Sequence, residues 1–473
     1  MAGKKSNSQN QVDASPTKRF FVEMLTRDIE LDDAILDLLD NCLDGAVRTN
    51  ENKPPRNPAK PYAGYWAEIT LDAEHFCIKD NCGGIPLDIA KEYAFRFGRK
   101  DNKRDKDLHT VGVYGIGMKR AIFKMGADCW VRSHHADGSF GVHIDQNWIS
   151  GDDKWELEMD RNASVPSSQG VSVEITDLLP NIQTQFHPNK GGFAEVIKKK
   201  IRLHYAYIIK KGFTVKVNGT KVEPNDFQTL IANDLTQESA IAPYVYETEA
   251  DGVKVQLILG MYERFPSQGE LDDYEEGKRA KDTAGWTVIC NDRVVVANDT
   301  SHLTGWGESG VPSYHSQYVM LSGIVEFISK DASLLPVTTT KRGVDLNSAL
   351  YADVKNIMRD ALKHFTSFTN NWKTQTDERA SMQTQTRAID IRDAVRSVPA
   401  AKWQDVRKGM KGKRFIPELP RPIEEKTHAR ISFSRHKDEV QLVANLLCDP
   451  GTNPKPSEVG ETAFEWALKE AKE

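Results

Sequence analysis

The stretch from Ala34 to Ala46 reads AILDLLDNCLDGA and decides how the rest of the sequence is interpreted. Its apolar residues recur at the three- and four-residue spacing of an amphipathic helix: Ile35, Leu38, Leu39, Cys42 and Ala46. Polar residues occupy another face of this helix: Asp33, Asp37, Asn41 and Asp44. A solvated acidic face is the ordinary explanation of such a pattern, but the motifs downstream favour a binding site.

The composition is that of a globular protein with several domains. A chain of 473 residues exceeds the size of a single core, so we expect two or three domains. Hydrophobic residues make up 39% of the sequence and charged residues 28%, which is ordinary for a soluble protein. The net charge of -5 gives no whole-chain signature of nucleic-acid binding, although a local basic patch remains compatible with it.

The sequence also predicts a location. No apolar run approaches the roughly 20 residues that span a bilayer, and the polar N-terminus lacks the apolar core of a signal peptide. The six cysteines include no CxxC pair, so neither a disulfide framework nor a zinc module is indicated. We therefore expect a cytoplasmic protein without a membrane partner.

An acidic turn follows two predicted strands, residues 66–71 and 75–79. The second strand continues into Asp80-Asn81-Cys82-Gly83-Gly84-Ile85-Pro86. A carboxylate at a strand end followed by paired glycines suits a turn at which the backbone approaches a ligand closely. An ordinary strand-to-helix turn explains the same residues equally well.

A second glycine-rich stretch, VGVYGIGMKR at 111–120, follows a charge-dense loop and leads into a predicted helix, residues 121–125. Glycines and the free N–H groups of a helix N-terminus together form a phosphate site. The spacing does not match a P-loop, and the Rossmann fingerprint needs a preceding strand. A further strand is predicted at 170–178.

These motifs, in this order, resemble the GHKL ATPase superfamily, which includes DNA gyrase, heat-shock chaperones, histidine kinases, MutL and the MORC-type ATPases. The resemblance is carried by three motifs within residues 33–120 and by a weaker fourth at 170–175. It implies an α+β fold in which a GHKL (Bergerat) α/β sandwich is followed by a β-α-β transducer domain and a small helical C-terminal module.

The resemblance implies ATP and Mg²⁺ as cofactors and assigns a role to individual residues. Asn41 would hold the Mg²⁺, a hard cation that prefers oxygen ligands. Asp37 stands where most relatives have a glutamate that activates water, and Asp80 would accept the adenine amino group. The loop 98–111 would close over ATP as a lid. The other implied nucleotide-binding residues are Asp44, Gly84, Ile85, Gly112, Gly115, Gly117, Met118, Lys119 and Ser172.

The sequence departs from the family pattern at three positions. Asp37 is one methylene shorter than glutamate, and because general-base catalysis depends on geometry we expect slow or partner-dependent turnover. Cys82 replaces the first glycine of the acidic motif. Val171 occupies the position of a threonine that commonly joins the adenine water network, so Ser172 or Thr176 could substitute.

The second half of the chain is similar to the transducer domain of MutL, MORC and gyrase. We predict a helix at 193–211, an Asn-Gly hairpin at 218–219, strands at 253–261, 285–296 and 319–328, and a helix at 350–372. In these relatives a lysine from a proline-containing loop reaches the γ-phosphate, and Lys341 in LPVTTTKRG matches it. Without this context, a solvated surface lysine is equally compatible.

The predicted organisation has five parts: a disordered arm (1–19), the GHKL ATP-binding domain (20–185), a transducer-like domain (190–372), a polar and basic helical linker (373–425) and a strand-helix-helix module (426–473). We further predict a short strand at 20–25 and a helix at 374–398. The last module resembles a ribbon–helix–helix unit, which dimerises and reads the major groove. A small docking domain without a DNA role is the alternative, and we favour it because topology predicted from a motif is often wrong.

The implied function is that of a Mg²⁺-dependent ATPase that forms a homodimer on binding ATP. The process would be DNA-associated, such as genome maintenance or phage defence, with DNA and an effector protein as partners. The alternatives are a chaperone-like ATPase acting on protein clients and an ATP-binding scaffold that does not hydrolyse. A histidine kinase is disfavoured because no histidine lies in a dimerisation helix ahead of the ATPase motifs.

Overall fold

The computed structural model describes residues 17–52, 54–96, 108–110, 115–151, 155–188, 192–235, 240–266, 268–275, 283–338, 341–372, 385–406, 411–422, 433–449, 452 and 454–472. They form two compact units, of which the first ends at Arg421 and the second begins at Pro422. The predicted arm up to residue 16, Gly112 and most of the predicted lid lie outside the described residues. No helix of the described ranges is long and apolar enough to cross a membrane.

The first unit begins with an eight-stranded sheet. Its strands are β1 (Trp66–Leu71), β2 (Phe76–Asp80), β3 (Gly126–His135), β4 (Gly138–Ile144), β5 (Met159–Asp160), β6 (Gly170–Leu178), β7 (Thr214–Val217) and β8 (Thr220–Lys221). The strand order is β5-β4-β3-β6-β2-β1-β7-β8. The pairing of β1 with β7 is parallel and the other pairings in this sheet are antiparallel.

Helices cover one face of this sheet. They are α1 (Lys18–Arg27), α2 (Leu31–Asn52), α3 (Leu87–Ile89, continued by a π-helical turn at Ala90–Ala94), α4 (Gly117–Met125), α5 (Gln146–Ser150), α6 (Pro180–Phe186), α7 (Phe193–His204) and α8 (Ala206–Lys210). The predicted apolar stripe of α2 is confirmed, because all five of its residues are buried in the first core. Burying this stripe turns the opposite, acidic side of α2 toward the rest of the first unit.

The strand predicted at 20–25 is wrong. Residues 20–25 form part of α1, and the Thr17 side chain caps this helix by accepting the Phe20 N–H. A short apolar run does not distinguish strand from helix, so the cap decides. Further along, α3 changes from α to π geometry at Ala90.

The first core continues beyond residue 185, where we predicted the end of the ATP-binding domain. The Asn-Gly hairpin is confirmed: Asn218 and Gly219 have φ values of 48° and 75° and join β7 to β8. Because β7 pairs with β1, this hairpin extends the first sheet. Helices α7 and α8 pack against the same core through Ile201, Tyr205 and other residues.

A seven-stranded sheet follows in the same unit. This sheet and the helices packed on it form the second domain. Its strands are β10 (Tyr244–Ala250), β11 (Val253–Met261), β12 (Gly285–Cys290), β13 (Arg293–Asp299), β14 (Leu321–Ile328), β16 (Gln404–Asp405) and β17 (Lys413–Phe415), in the order β13-β12-β14-β11-β10-β17-β16. The long helix α10 (Ala349–Asn371) packs on one face, and α8 packs on the other. The remaining elements are the helices Gln268–Glu275 (α9) and Ala394–Ser397, and single 3-10 turns at His302–Thr304, Ser316–Tyr318, Ala332–Leu334, Ile391–Asp393 and Ala400–Lys402.

The chain returns to the second domain after α10. The helix predicted at 374–398 is wrong at Thr386–Asp390, which is a strand (β15) that pairs with β9 (Gln228–Ala232), whereas Ile391–Asp393 and Ala394–Ser397 are helical. Strand β17 then pairs with β10. Arg392, just after β15, forms ion pairs with Asp292 at 3.1 Å and with Glu326 of β14. This returning segment is therefore part of the first unit rather than a free linker.

The second unit contains two described helices, Lys437–Leu447 and Pro456–Lys472. The predicted strand at 429–435 lies partly outside the described residues, and its described part, 433–435, is not a strand. Ala444 and Val459 are buried in this unit, whereas Leu442 and Leu446 are more than 70% exposed.

Gly84 provides a test of the acidic turn. Its φ is +77°, and a Cβ there would lie 2.2 Å from the His134 carbonyl oxygen. We expect Gly84→Ala to lower the free energy of unfolding by about 1–3 kcal/mol, the usual cost of overpacking, beyond the loss from backbone strain. Gly219→Ala is the matched control, since Gly219 has φ +75° with open space around it. Equal losses in denaturant titrations of the two variants would contradict this account.

Candidate active site

Asp37 lies at the centre of the acidic side of α2. Its Oδ2 accepts a hydrogen bond from the Arg120 guanidinium of α4 at 2.5 Å, and both side chains are almost fully buried. Helix α4 can approach so closely because it begins at Gly117, where a Cβ would lie 3.1 Å from Asp37 Oδ2. Asp37 is therefore a fixed group with a defined orientation.

Asn41 follows one helical turn after Asp37 and is exposed, whereas Asp44 is buried. In the described part of the chain, no group of three His, Cys, Asp or Glu side chains could hold a metal ion. A cation here would depend on the amide oxygen of Asn41 together with ligand and water oxygens, which is the usual environment of Mg²⁺ beside phosphates. The exposed amide fits that role.

Asp80 ends β2 and is buried on the core side of the sheet. Its Oδ1 accepts the backbone N–H of Cys82 at 2.8 Å and that of Val171 at 3.3 Å. Burial raises the pKa of Asp80, although these N–H groups oppose the increase. The strand end thus holds an oriented carboxylate that can accept a hydrogen bond from a ligand amino group.

The acidic turn is attached to α2 and β3. Thr49 of α2 donates to the Cys82 carbonyl at 3.1 Å, and the Ile85 N–H donates to Ser133 Oγ at 2.7 Å. Close packing against β3 explains why position 84 is glycine. Gly170 is a further requirement that the sequence did not indicate, because a Cβ there would lie 2.0 Å from the Asp80 carbonyl oxygen.

The second glycine motif leads into α4. Gly115 has φ +67°, and Lys119 Nζ donates to the Gly115 carbonyl at 2.5 Å. Met118 packs against the first core. The motif therefore places the N-terminus of a nine-residue helix beside Asp37, an arrangement that suits an anion.

Ser172 lies on the other face of the sheet from Asp80. It pairs with Lys79 across β2 and β6, and successive strand residues point to opposite faces. Its Oγ lies 3.8 Å from Cys77 Sγ. Thr176 occupies the same face and donates to Asp128. The suggested substitution of these hydroxyls for the family threonine does not fit this register.

Asp40, which sequence reasoning overlooked, connects α2 to the second sheet. Its Oδ1 lies 2.5 Å from the Tyr205 hydroxyl and 2.9 Å from Arg293 Nε, and its Oδ2 accepts from Lys341 Nζ at 2.9 Å. Burial by itself would raise the pKa of Asp40, but the charges of Lys341 and Arg293 hold it well below its usual range. Arg293 follows a tight turn at Asn291-Asp292, whose φ values are 46° and 67°.

Lys341 also lies near Asp37. Its Nζ is 3.7 Å from Asp37 Oδ1, and its backbone adopts φ +56°. Burial lowers the pKa of Lys341, but Asp40 and Asp37 raise it by a larger amount. The proline-containing loop thus brings its lysine to the acidic face of α2, as a buried cation rather than a solvated surface lysine.

The next residue, Arg342, completes the charged region. It forms an ion pair with Asp33 of α2 and donates to His204 Nε2 at 3.1 Å. Burial and the charges of Arg293 and Arg342 lower the pKa of His204 to about 3, so the imidazole is neutral and can accept this bond. Five residues from distant parts of the sequence therefore neutralise α2: Arg120, Lys200, Arg293, Lys341 and Arg342.

Arg120 shows that the region fits an anion. Its Nε is buried and has no hydrogen-bond acceptor among the residues that the structure describes. Its guanidinium charge and the N-terminus of α4 lie together beside Asp37. This arrangement suits a phosphate-containing ligand.

Comparison with known families agrees with this geometry. Residues 29–174 match the family model described as histidine kinase-, DNA gyrase B-, and HSP90-like ATPase. The match begins just before α2 and ends within β6. It supports a GHKL-type ATPase domain in this part of the chain, and with it ATP binding. A search of curated proteins returns no match to the chain.

Asp40 is the site residue whose removal has the clearest expected cost. Asp40→Asn removes the negative charge that balances two buried cations, so we expect a loss of about 3–5 kcal/mol in unfolding free energy at pH 7. Because the folded-state pKa is depressed, the contribution of Asp40 is present above the ordinary aspartate pKa of 3.8 and is lost as the pH falls further. The difference between variant and wild type should therefore shrink below about pH 4.

The control for this prediction is Asp393→Asn. Asp393 forms an ion pair with Arg396 in which both side chains are at least 60% exposed, so its loss should cost below about 1 kcal/mol. Denaturant titrations across pH 3–7 measure both variants. A pH-independent deficit in Asp40→Asn would rule out the electrostatic explanation.

Proposed function

We propose that this chain is a Mg²⁺-dependent ATPase whose nucleotide state gates the closing of two protomers, as in MORC and MutL ATPases. The observation that supports it is the position of α2. This helix contacts the acidic turn through Thr49 and the glycine start of α4 through Asp37. A ligand that spans an adenine-binding carboxylate and a phosphate-binding helix would therefore lie along α2.

In this proposal Asp80 accepts the adenine amino group, and the turn that contains Gly84 and Ile85 borders the base. Gly115, Gly117, Met118 and Lys119 surround the phosphates at the start of α4. Asn41 and the neighbouring Asp44 bind the cation and its waters. Mg²⁺, when bound, would offset phosphate charge. The oriented carboxylate of Asp80 at one end and the helix start beside Asp37 at the other support this direction of binding.

Hydrolysis needs little covalent chemistry from the protein. The oxygen of a water molecule forms a bond to the terminal phosphorus while the bond from that phosphorus to the bridging oxygen breaks, which leaves ADP and inorganic phosphate. Asp37 accepts the proton that the water gives up. Lys341 lies close enough to Asp37 to offset negative charge on the terminal phosphate.

The switch in this proposal depends on Lys341. Its ammonium donates to Asp40, and a terminal phosphate beside Asp37 would compete for it. A segment that a γ-phosphate orders relaxes when that phosphate leaves. Because Lys341 belongs to the second domain, its exchange between Asp40 and phosphate would move that domain and favour a homodimer.

We further propose a DNA-associated role, with an effector protein as a second partner. The second sheet with its long helix α10 follows the ATPase domain as in the DNA-acting relatives, and Lys411, Lys413 and Arg414 add positive charge around β17. Action on unfolded protein clients is the competing outcome that the experiment below separates.

Asn41 and Asp37 distinguish binding from catalysis. We expect Asn41→Ala to abolish Mg-ATP binding in calorimetry. Asp37→Ala should retain binding and lose turnover by about 10²–10⁴-fold, the usual contribution of a general base. Asn445→Ala, an exposed helical asparagine in the second unit, is the control and should bind as wild type. Retained ATP affinity in Asn41→Ala would refute the cation site.

DNA dependence tests the proposed role. Phosphate release by the wild type should increase with duplex DNA, and DNA binding should weaken steeply between about 50 and 200 mM salt because phosphate contacts release counterions. Unfolded protein added at the same mass is the control. Stimulation by unfolded protein alone would favour the chaperone-like function.

A further inference from the structure

Arg120 holds Asp37 by one oxygen only. Its guanidinium contacts Asp37 Oδ2 at 2.5 Å, while Asp37 Oδ1 lies 3.7 Å from Lys341 Nζ. The second distance is longer than a hydrogen bond. The single charge-assisted contact fixes the carboxylate plane and leaves Oδ1 for another partner.

The space around Asp37 fits an aspartate. A Cβ on Gly117 would lie 3.1–3.2 Å from the Oδ2, Cβ and Cγ atoms of Asp37, so the start of α4 already touches this side chain. Because Arg120 lies 2.5 Å from Oδ2, an added methylene would change the position of the carboxylate relative to the guanidinium.

We propose that Arg120 is a positioning residue for hydrolysis: it orients Asp37 so that Oδ1 faces the attacking water, and it thereby makes the short side chain competent. This inference rests on the proposed ATPase function. A longer glutamate does not improve a site in which Arg120 and Gly117 set the distance. Arg120 acts through Asp37, so its effect depends on the carboxylate being present.

A double-mutant cycle tests this dependence. Single-turnover ATP hydrolysis and calorimetric ADP affinity are measured for wild type, Arg120→Lys, Asp37→Asn and the double variant. We expect Arg120→Lys to lower the hydrolysis rate by about 100-fold, the effect of misplacing a reacting group by about 1 Å, with ADP affinity within about threefold of wild type. In the Asp37→Asn background the same change should alter the rate by less than about twofold.

Arg132→Lys is the matched control. Arg132 forms an ion pair with Glu174 at 2.6 Å on the outer face of the sheet, away from α2, so its replacement should leave hydrolysis unchanged. Retained ADP affinity in each variant verifies that the site is folded.

The outcomes separate this inference from the function on which it rests. The rate losses of the two single variants could multiply in the double variant while wild-type turnover is normal. In that case Arg120 does not act through Asp37, and the inference alone is overturned. A parallel loss of ADP affinity in Arg120→Lys overturns it as well. A wild-type chain that binds no ATP overturns both.

Asp37→Glu gives an independent second test. A site limited only by the reach of its base would gain turnover from the longer side chain. Because the longer side chain would move its carboxylate out of the position in which Arg120 holds it, we expect the single-turnover rate to fall at least about tenfold with ADP affinity retained. A rate equal to or above that of wild type would overturn the assignment.

Discussion

Asp40 is the buried carboxylate on which the arrangement of the two domains depends. Two ions removed from water cost several kcal/mol each, and their attraction compensates only when the geometry is good and the remaining hydrogen bonds are satisfied. Asp40 meets this condition with donors from three segments, Tyr205, Arg293 and Lys341. Tyr205 lies just before α8, Arg293 begins β13 and Lys341 lies in the loop before α10. The contact therefore fixes α2 against the second domain.

This attachment has an electrostatic consequence for the acidic side of α2. A triphosphate would be repelled by several carboxylates on one helix face if they were not neutralised. Arg120, Lys341 and Arg342 supply positive charge close to Asp37 and Asp33. The positive charge around the acidic side of α2 is therefore a property of the assembled unit, and the first sheet with α2 alone would lack most of that charge.

The sequence predicted the local patterns well and the long-range contacts poorly. The periodicity of α2 and the Asn-Gly turn depend on neighbouring residues, so they were readable from the sequence. Arg293 lies 253 positions from Asp40, and no local pattern indicates that they meet. Asp40 itself could have been noticed, because it lies three residues after Asp37 on the same helix. Ser172 was misjudged because a one-residue shift in strand position changes the face of the sheet.

The position of Ser172 also shows that the strand register of β6 matters more at this site than the residue type. Val171 takes part through its backbone N–H to Asp80, a contact that any residue except proline could make. The hydroxyl one position later points away from that carboxylate. The residue type at 171 is thus weakly constrained by Asp80, whereas the glycine before it is strongly constrained by the Asp80 carbonyl oxygen.

The segment that returns after α10 determines where the chain can be divided. Strand β17 covers the edge of β10, and Arg392 neutralises Glu326, a buried carboxylate whose pKa burial raises. A fragment ending at Trp372 would expose an unpaired strand edge, which is a template for aggregation, and would leave Glu326 without this cation. The smallest piece that keeps its edges covered therefore extends to Arg421, and a fragment cut at the end of the long helix would tend to self-associate through β10.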